Sequence, residues 1–257
     1  MAGLHSRQAP DPIRIAGAPH PGLAGEVAPA LVIFDCDGVL VDSEVLAAES
    51  LVEAFAAIGR VITMDHVYSR FLGRAFSTIE ADHRAATGAD LPGDFKDRQW
   101  ATLERLFEAR LRAIPGIEAL VALLERRHIP FCIASSSTPE RIRRSLELVG
   151  LRDRFGERIF SATQVRNGKP APDLFLLAAV AMGAEPAGSL VIEDSPSGIL
   201  AAKAAGMVAW GFTGGSHHAH LDGDRTLREC GADWVAAAMT DIGLRIKAMA
   251  GQGTSGG

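Results

Sequence analysis

LVIFDCDGVLVDSE, residues 31–44, decides how the chain is read. Its first four residues are apolar with no polar residue between them, which suits a short strand buried on both faces, as inside a parallel sheet. Where that strand ends stand Asp35 and Asp37, separated only by Cys36. Two like charges against an apolar edge repel each other and resist losing water, so they call for a counter-charge, and one divalent cation supplies it. The plainer alternative is a solvated acidic turn ending at Gly38.

The 257 residues are enough for one large domain, or for a core with a smaller insertion. Hydrophobic residues make up 47% and charged residues 22%, an ordinary globular composition. A net charge of -5 and a pI near 5.9 argue against a broad basic surface, so nucleic acid is not an expected partner. Cys36, Cys132 and Cys230 are scattered without metal-ligand or disulfide spacing, which fits a reducing cytoplasm. No apolar run approaches the roughly 20 residues that span a bilayer, and no signal-peptide pattern opens the chain, so a cytoplasmic protein without a membrane partner is expected.

Residues 1–28 and 249–257 lack helical or strand periodicity and read as flexible tails. Between them, apolar runs at 31–34, 130–134, 158–160, 190–192 and 207–212 each precede polar turns. RIRRSLELVG, DLFLLAAVAMG and SGILAAKAAG have helical spacing and end in Gly150, Gly183 and Gly206, the residue favoured just past a helix. Strand followed by helix, repeated, implies an α/β fold with an open parallel sheet. Residues 44–114 break the rhythm with LAAESLVEAFAAIG, FSTIEADHRAATG and FKDRQWATLERLFEARLRAI, all helical in pattern. They read as an all-helical insertion between core segments 29–43 and 115–248, placed where open α/β sheets bind ligands.

The residues just past each run carry the chemistry. After FCIA come Ser135, Ser136 and Ser137, then Thr138 and Pro139. Hydroxyls and backbone N–H groups there suit a phosphate oxyanion, or simply cap a helix. In VRNGKPAPD, Lys169 is a cation on a backbone stiffened by Pro170 and Pro172, suited to offset phosphoryl charge, or else an exposed turn lysine. After the run at 190–192 come Glu193 and Asp194, a second acidic pair, then Ser195 and Pro196, a helix N-cap and first turn. With Asp35 the acidic pair offers oxygen ligands and no His or Cys, which favours Mg²⁺ over zinc.

DCDGVLVDSE, IASSS, GKPAPD and IEDSPSG, in this order over residues 35–198, resemble the motifs of the haloacid dehalogenase superfamily, in its helical-cap phosphatase and phosphomutase branch. The resemblance implies a Rossmann-like core with a cap at 44–114. It implies Asp35 as a nucleophile forming an aspartyl phosphate and Asp37 as general acid and base. Lys169 would neutralise charge, and Ser135, Ser136, Gly38 and Glu44 would lie on the substrate side. Mg²⁺ would be held by Asp35, Asp194 and the Asp37 carbonyl, with Glu193 assisting. Asp37 itself argues against carbon–halogen hydrolysis, for which that branch of the superfamily lacks an acid here.

RFLG and the serial order resemble both sugar phosphatases of the 6-phosphogluconate phosphatase type and β-phosphoglucomutases. The mutases carry a cap His and Arg that hold a bisphosphate. Counted without gaps, those positions here are Ala47 and Phe76, which have no charge, so hydrolysis of a small phosphorylated metabolite, a sugar phosphate, is expected. Arg70, Arg74 or Arg84 would have to supply the missing cation for the alternative, a mutase; a non-catalytic binder of phosphorylated metabolites is a further alternative. SHHAH, residues 216–220, lies in a glycine-bounded loop and reads as surface. A monomer or weak homodimer is expected.

Overall fold

The computed structural model of the chain describes residues 27–249, apart from 73 and 75; most of both expected tails lies outside the described residues. Six parallel strands form one sheet: β1 (Leu31–Phe34), β2 (Phe131–Ser135), β3 (Ile159–Ser161), β4 (Ser189–Glu193), β5 (Val208–Phe212) and β6 (Trp234–Ala236), in the order β3-β2-β1-β4-β5-β6. β1, β2 and β4 are buried at every residue, which is why their sequences run apolar without alternation.

Alternate residues of each strand face different layers. Val32, Phe34, Phe131, Ile133, Leu190 and Ile192 belong to one core; Leu31, Ile33, Cys132, Ala134 and Val191 belong to the other. Over the first face lie α5 (Ile117–Arg126), α6 (Pro139–Leu148), α7 (Arg152–Phe155) and α11 (Met239–Ala248). Over the second lie α8 (Asp173–Ala181), α9 (Pro196–Ala204) and α10 (Gly223–Glu229). Ala28 and Met249, at the inner edges of the two expected tails, are buried in the first core.

Between β1 and α5 the chain forms α1 (Glu44–Ala57), α2 (Met64–Arg70), α3 (Phe76–Thr87) and α4 (Phe95–Arg110). A third core, with Ala48, Phe55, Val67, Phe71, Ile79 and Phe95, belongs to this stretch alone. α4 contributes Phe95 to that core, while its Leu103, Leu106 and Phe107 join the sheet's. The two crossings between sheet and helices run side by side: the Asp42 N–H donates to the Arg112 carbonyl at 2.9 Å, and the Ile114 N–H to the Leu40 carbonyl at 2.9 Å.

The chain runs from β1 to β2 and β3 on one side, then returns to place β4 on the other side of β1. Strand order therefore reverses between β1 and β4, the position where open α/β sheets form a crevice at the carboxyl ends of their strands.

Candidate active site

Four sequence-distant segments meet at that crevice. Asp35 directly follows β1, Ser135 closes β2, Lys169 lies in the β3–α8 loop, and Glu193 closes β4 with Asp194 next. Together with Asp37, Glu44, Ser136, Ser137, Trp100, Arg74 and Lys96 they line a cavity of about 660 Å³.

Lys169 is the hub. Its side chain is only 3% exposed, and its ammonium donates to Asp35 Oδ1 at 2.6 Å, to Glu193 Oε1 at 2.6 Å and to the Ala134 carbonyl at 3.0 Å. Burial alone would discharge it, yet the two carboxylates hold its pKa above the ordinary lysine value. Glu193 is fully buried, and its other oxygen accepts from the N–H and hydroxyl of Ser195 at 2.9 and 2.8 Å. A Cβ on Gly198 would stand 1.8 Å from that carboxylate, so the missing side chain lets α9 close over it. Ser195 also caps α9, its hydroxyl accepting from the Gly198 N–H at 3.1 Å. Both Glu193 oxygens are thus engaged by Lys169 and the start of α9.

Asp37 sits apart from that network. It accepts from Ser43 at 2.7 Å, Ser137 at 2.7 Å and Arg141 at 2.9 Å. Burial pulls its pKa upward, but the Arg141 charge and the donated hydrogen bonds outweigh it and hold the carboxyl below the ordinary range. The sequence reading left out Ser43 and Arg141 as site residues and gave Ser137 no separate role. Arg141 lies in the first turn of α6, whose Thr138 cap directs that turn at the strand end; its guanidinium stacks between the site and Phe107 of α4, 5.5 Å from the ring centroid.

Ser135 is buried, and its hydroxyl accepts from the Ser137 N–H at 3.2 Å, while Ser136 is exposed at the cavity rim. Gly38 has φ +76° and a Cβ there would lie 1.8 Å from Asp194 Oδ2; only glycine lets the β1 turn and Asp194 share this space. Glu44, the first residue of α1, has its pKa pushed up to about 7, chiefly by burial and then by Asp37 and Asp194.

The SHHAH loop departs from its expected place. His217 is 2% exposed and its Nε2 stands 3.3 Å from Asp194 Oδ2, and His218 is half-buried, while Ser216, Ala219 and His220 are exposed as expected, the His220 ring stacked 5.1 Å from Tyr68. The chain after β5 folds back across the strand ends, and Gly215 permits the close approach: a Cβ there would meet the His217 ring at 2.8 Å. So the acidic crevice does have imidazole beside it. Burial keeps both rings neutral, His217 below its ordinary value and His218 at about 4.

Whether a divalent cation suits these residues is decided by charge. Asp35, Asp37, Glu44, Glu193 and Asp194 converge on the cavity, and the buried cations among them are Lys169 and Arg141. Burial first, then the neighbouring carboxylates, pushes Asp35 and Asp194 well above the usual carboxylate range, with Lys169 opposing. Excess buried negative charge on oxygen donors is the environment that a hard divalent ion relieves, so the site fits one.

With this geometry in view, the chain was compared with known proteins. A family model described as haloacid dehalogenase-like hydrolase matches residues 29–206. A 6-phosphogluconate phosphatase of Escherichia coli is 29% identical over 191 residues, covering 73% of this chain and 84% of that protein. A phosphorylated carbohydrates phosphatase of Thermotoga maritima is 31% identical over 177 residues, covering 68% of this chain and 81% of that protein. A crystal structure of a haloacid dehalogenase-like protein of unknown function from Agrobacterium tumefaciens superposes with a TM-score of 0.74 at 35% identity, covering 85% of this chain and 98% of that one.

Proposed function

This chain belongs to the haloacid dehalogenase-like hydrolases and is a phosphoric monoester hydrolase, and from that premise we propose that it is a Mg²⁺-dependent phosphatase of small phosphorylated sugars working through an aspartyl-phosphate intermediate. The observation that carries this is the pairing of Asp35 with Lys169 at 2.6 Å in a cavity that also holds the separately tethered Asp37.

Asp35 is the nucleophile. Its Oδ1 faces Lys169, and its second oxygen attacks phosphorus, forming an acyl phosphate as the bond to the leaving oxygen breaks. Lys169 offsets the repulsion between carboxylate and phosphoryl group. Ser135 and Ser136, with the N–H groups leading into α6, receive the phosphoryl oxygens, and Glu44 and Gly38 bound the substrate side.

Asp37 gives a proton to the leaving oxygen and then takes one from the water that hydrolyses the acyl phosphate. To do so it must release Arg141 and the two serines, which lets it take up a proton from solvent, and turn toward the cavity. Asp35, Asp194 and the Asp37 carbonyl would hold Mg²⁺, with Glu193 contributing through Lys169. When bound, the ion supplies charge neutralisation at the transferring phosphoryl group. Residues 44–114 act as the cap over core segments 29–43 and 115–248, and their closure shields the acyl phosphate until water is admitted.

Substrate is a small phosphorylated metabolite handled by one chain or a weak homodimer in the cytoplasm; no helix among the described residues is long and apolar enough to cross a membrane. The mutase reading keeps one supporting observation, since Arg74 and Lys96 line the cavity beside Ala47 and Phe76 and could meet a second anion. Interconversion of glucose 1- and 6-phosphates with a bisphosphate activator would establish it.

The deciding experiment is phosphate release from a panel of phosphorylated sugars, with and without Mg²⁺. Wild type is expected to turn over in Mg²⁺ and Asp35→Asn to be inactive. Substantial hydrolysis by Asp35→Asn refutes the mechanism, and a wild type that binds these compounds without releasing phosphate refutes the enzyme.

A further inference from the structure

The phosphatase chemistry leaves the SHHAH loop unused, although the loop reaches the crevice. His217 is buried with Nε2 3.3 Å from Asp194 Oδ2, and the His218 ring lies 4.1 Å from the His217 ring, tilted by 41°. Nδ1 of His217 is buried without a hydrogen-bond partner, and neither ring nitrogen of His218 makes a well-formed hydrogen bond, its one polar neighbour being the Asp194 backbone. Buried nitrogens are almost always satisfied, and each neutral ring carries one N–H and one lone pair, so two adjacent rings beside a carboxylate offer two imidazole lone pairs to a cation.

One donor atom from each of Asp194, His217 and His218 lies within 4.8 Å of the other two. Zinc ligands stand about 2 Å from the ion and so about 3.3 Å apart in a tetrahedron, so holding the ion would require these side chains to draw together by an ångström or so. The rings open onto a second cavity of about 240 Å³, which shares Glu44, Asp194 and Ser195 with the larger one and gives a cation a way in.

We propose that Asp194, His217 and His218 form a second cation site, selective for a borderline transition metal such as Zn²⁺ and sharing Asp194 with the oxygen-lined Mg²⁺ site. Imidazole nitrogen prefers zinc, whereas the other carboxylates of the crevice present only hard oxygen, so the two ions sort by donor chemistry. Because both draw on Asp194, each weakens the other's hold by the same factor, and Zn²⁺ acts on the hydrolase as an inhibitor competitive with Mg²⁺. The inhibition rests on the phosphatase reading; the site itself does not.

Crystals of the full chain grown with Mg²⁺ and soaked with Zn²⁺ test the site through anomalous scattering on either side of the zinc edge. A zinc peak bonded to His217, His218 and Asp194 is expected. Its appearance only between Asp35 and Asp194, or nowhere, overturns the proposal. In solution, titration calorimetry of Zn²⁺ into Mg²⁺-saturated protein should show His218→Ala, and His217→Gln where it stays folded by circular dichroism, weakening zinc by at least the roughly 10–100-fold that loss of even an outer-shell partner costs. Asp35→Asn should keep zinc binding while losing hydrolysis, which separates failure of this site from failure of the phosphatase reading. Unchanged zinc affinity in His218→Ala overturns the proposal.

Discussion

Asp37 accepts from Arg141, Ser43 and Ser137 at once, so in this structure it is an anion tethered at the wall of the cavity. Replacing it with Asn removes the proposed proton carrier and leaves Asp35 intact. Phosphate release in Mg²⁺ should fall roughly 10²–10⁴-fold, the usual contribution of general acid–base catalysis. Glu44 gives a second test at this scale. Its ordinary pKa of 4.5 is pushed to about 7 in the fold, so the folded state keeps a proton that the unfolded chain gives up between those values. The stability tied to that proton is complete below pH 4.5 and is lost as pH rises through about 7. In chelator, Glu44→Gln should therefore flatten the decline of melting temperature between those two values; an unchanged slope would show that Glu44 titrates normally. Asp35 and Glu193 were legible in the sequence because each follows an unbroken apolar run, and Asp37 and Asp194 stand beside them. Arg141 was not, since in RIRR nothing distinguishes it from Arg143 and Arg144 until α6 turns it inward. His217 was missed because a loop has no period from which burial can be inferred.

Turns and crossings decide what the elements can do. The β1 turn at Gly38 has positive φ and no room for a Cβ against Asp194. Gly38→Ala should cost at least the roughly 1–3 kcal/mol of a strained backbone and should displace Asp194, lowering both the urea midpoint and Mg²⁺-dependent turnover. Loss of turnover with stability unchanged would mean that the clash is relieved locally. Most strands and the helices ending at Gly150, Gly183 and Gly206 could be read in advance, and those glycines do take positive φ. α2 was not legible: seven residues give too few turns for a period, and its start depends on Thr63 accepting from the His66 N–H at 3.1 Å. Nor was β6, three residues at the sheet edge whose Trp234 is fixed by an edge-on contact with Trp210, 5.1 Å away, a partner remote in sequence.

Over the whole molecule, the separate core of residues 48–95 means that sheet and helical insertion need not loosen together. Phe55 is fully buried there, 4.8 Å from Phe95 and 6.2 Å from Phe71. Phe55→Ala should cost about 3–5 kcal/mol within that core. Hydrogen exchange should then speed up in α1–α3 while the amides of β1, β2 and β4 keep their protection; equal acceleration in both would show one cooperative unit. The placing of β1 at the centre of the sheet has a further consequence, for biosynthesis. Leu31–Phe34 leaves the ribosome before its neighbours, since Phe131–Ser135 and Ser189–Glu193 follow roughly a hundred and more residues later, of the order of ten seconds at common elongation rates. During that interval the nascent insertion already holds every residue of its own core, whereas the strand that leads to Asp35 has nothing to pair with. The helical layer is thus complete in the polypeptide before the sheet it packs against.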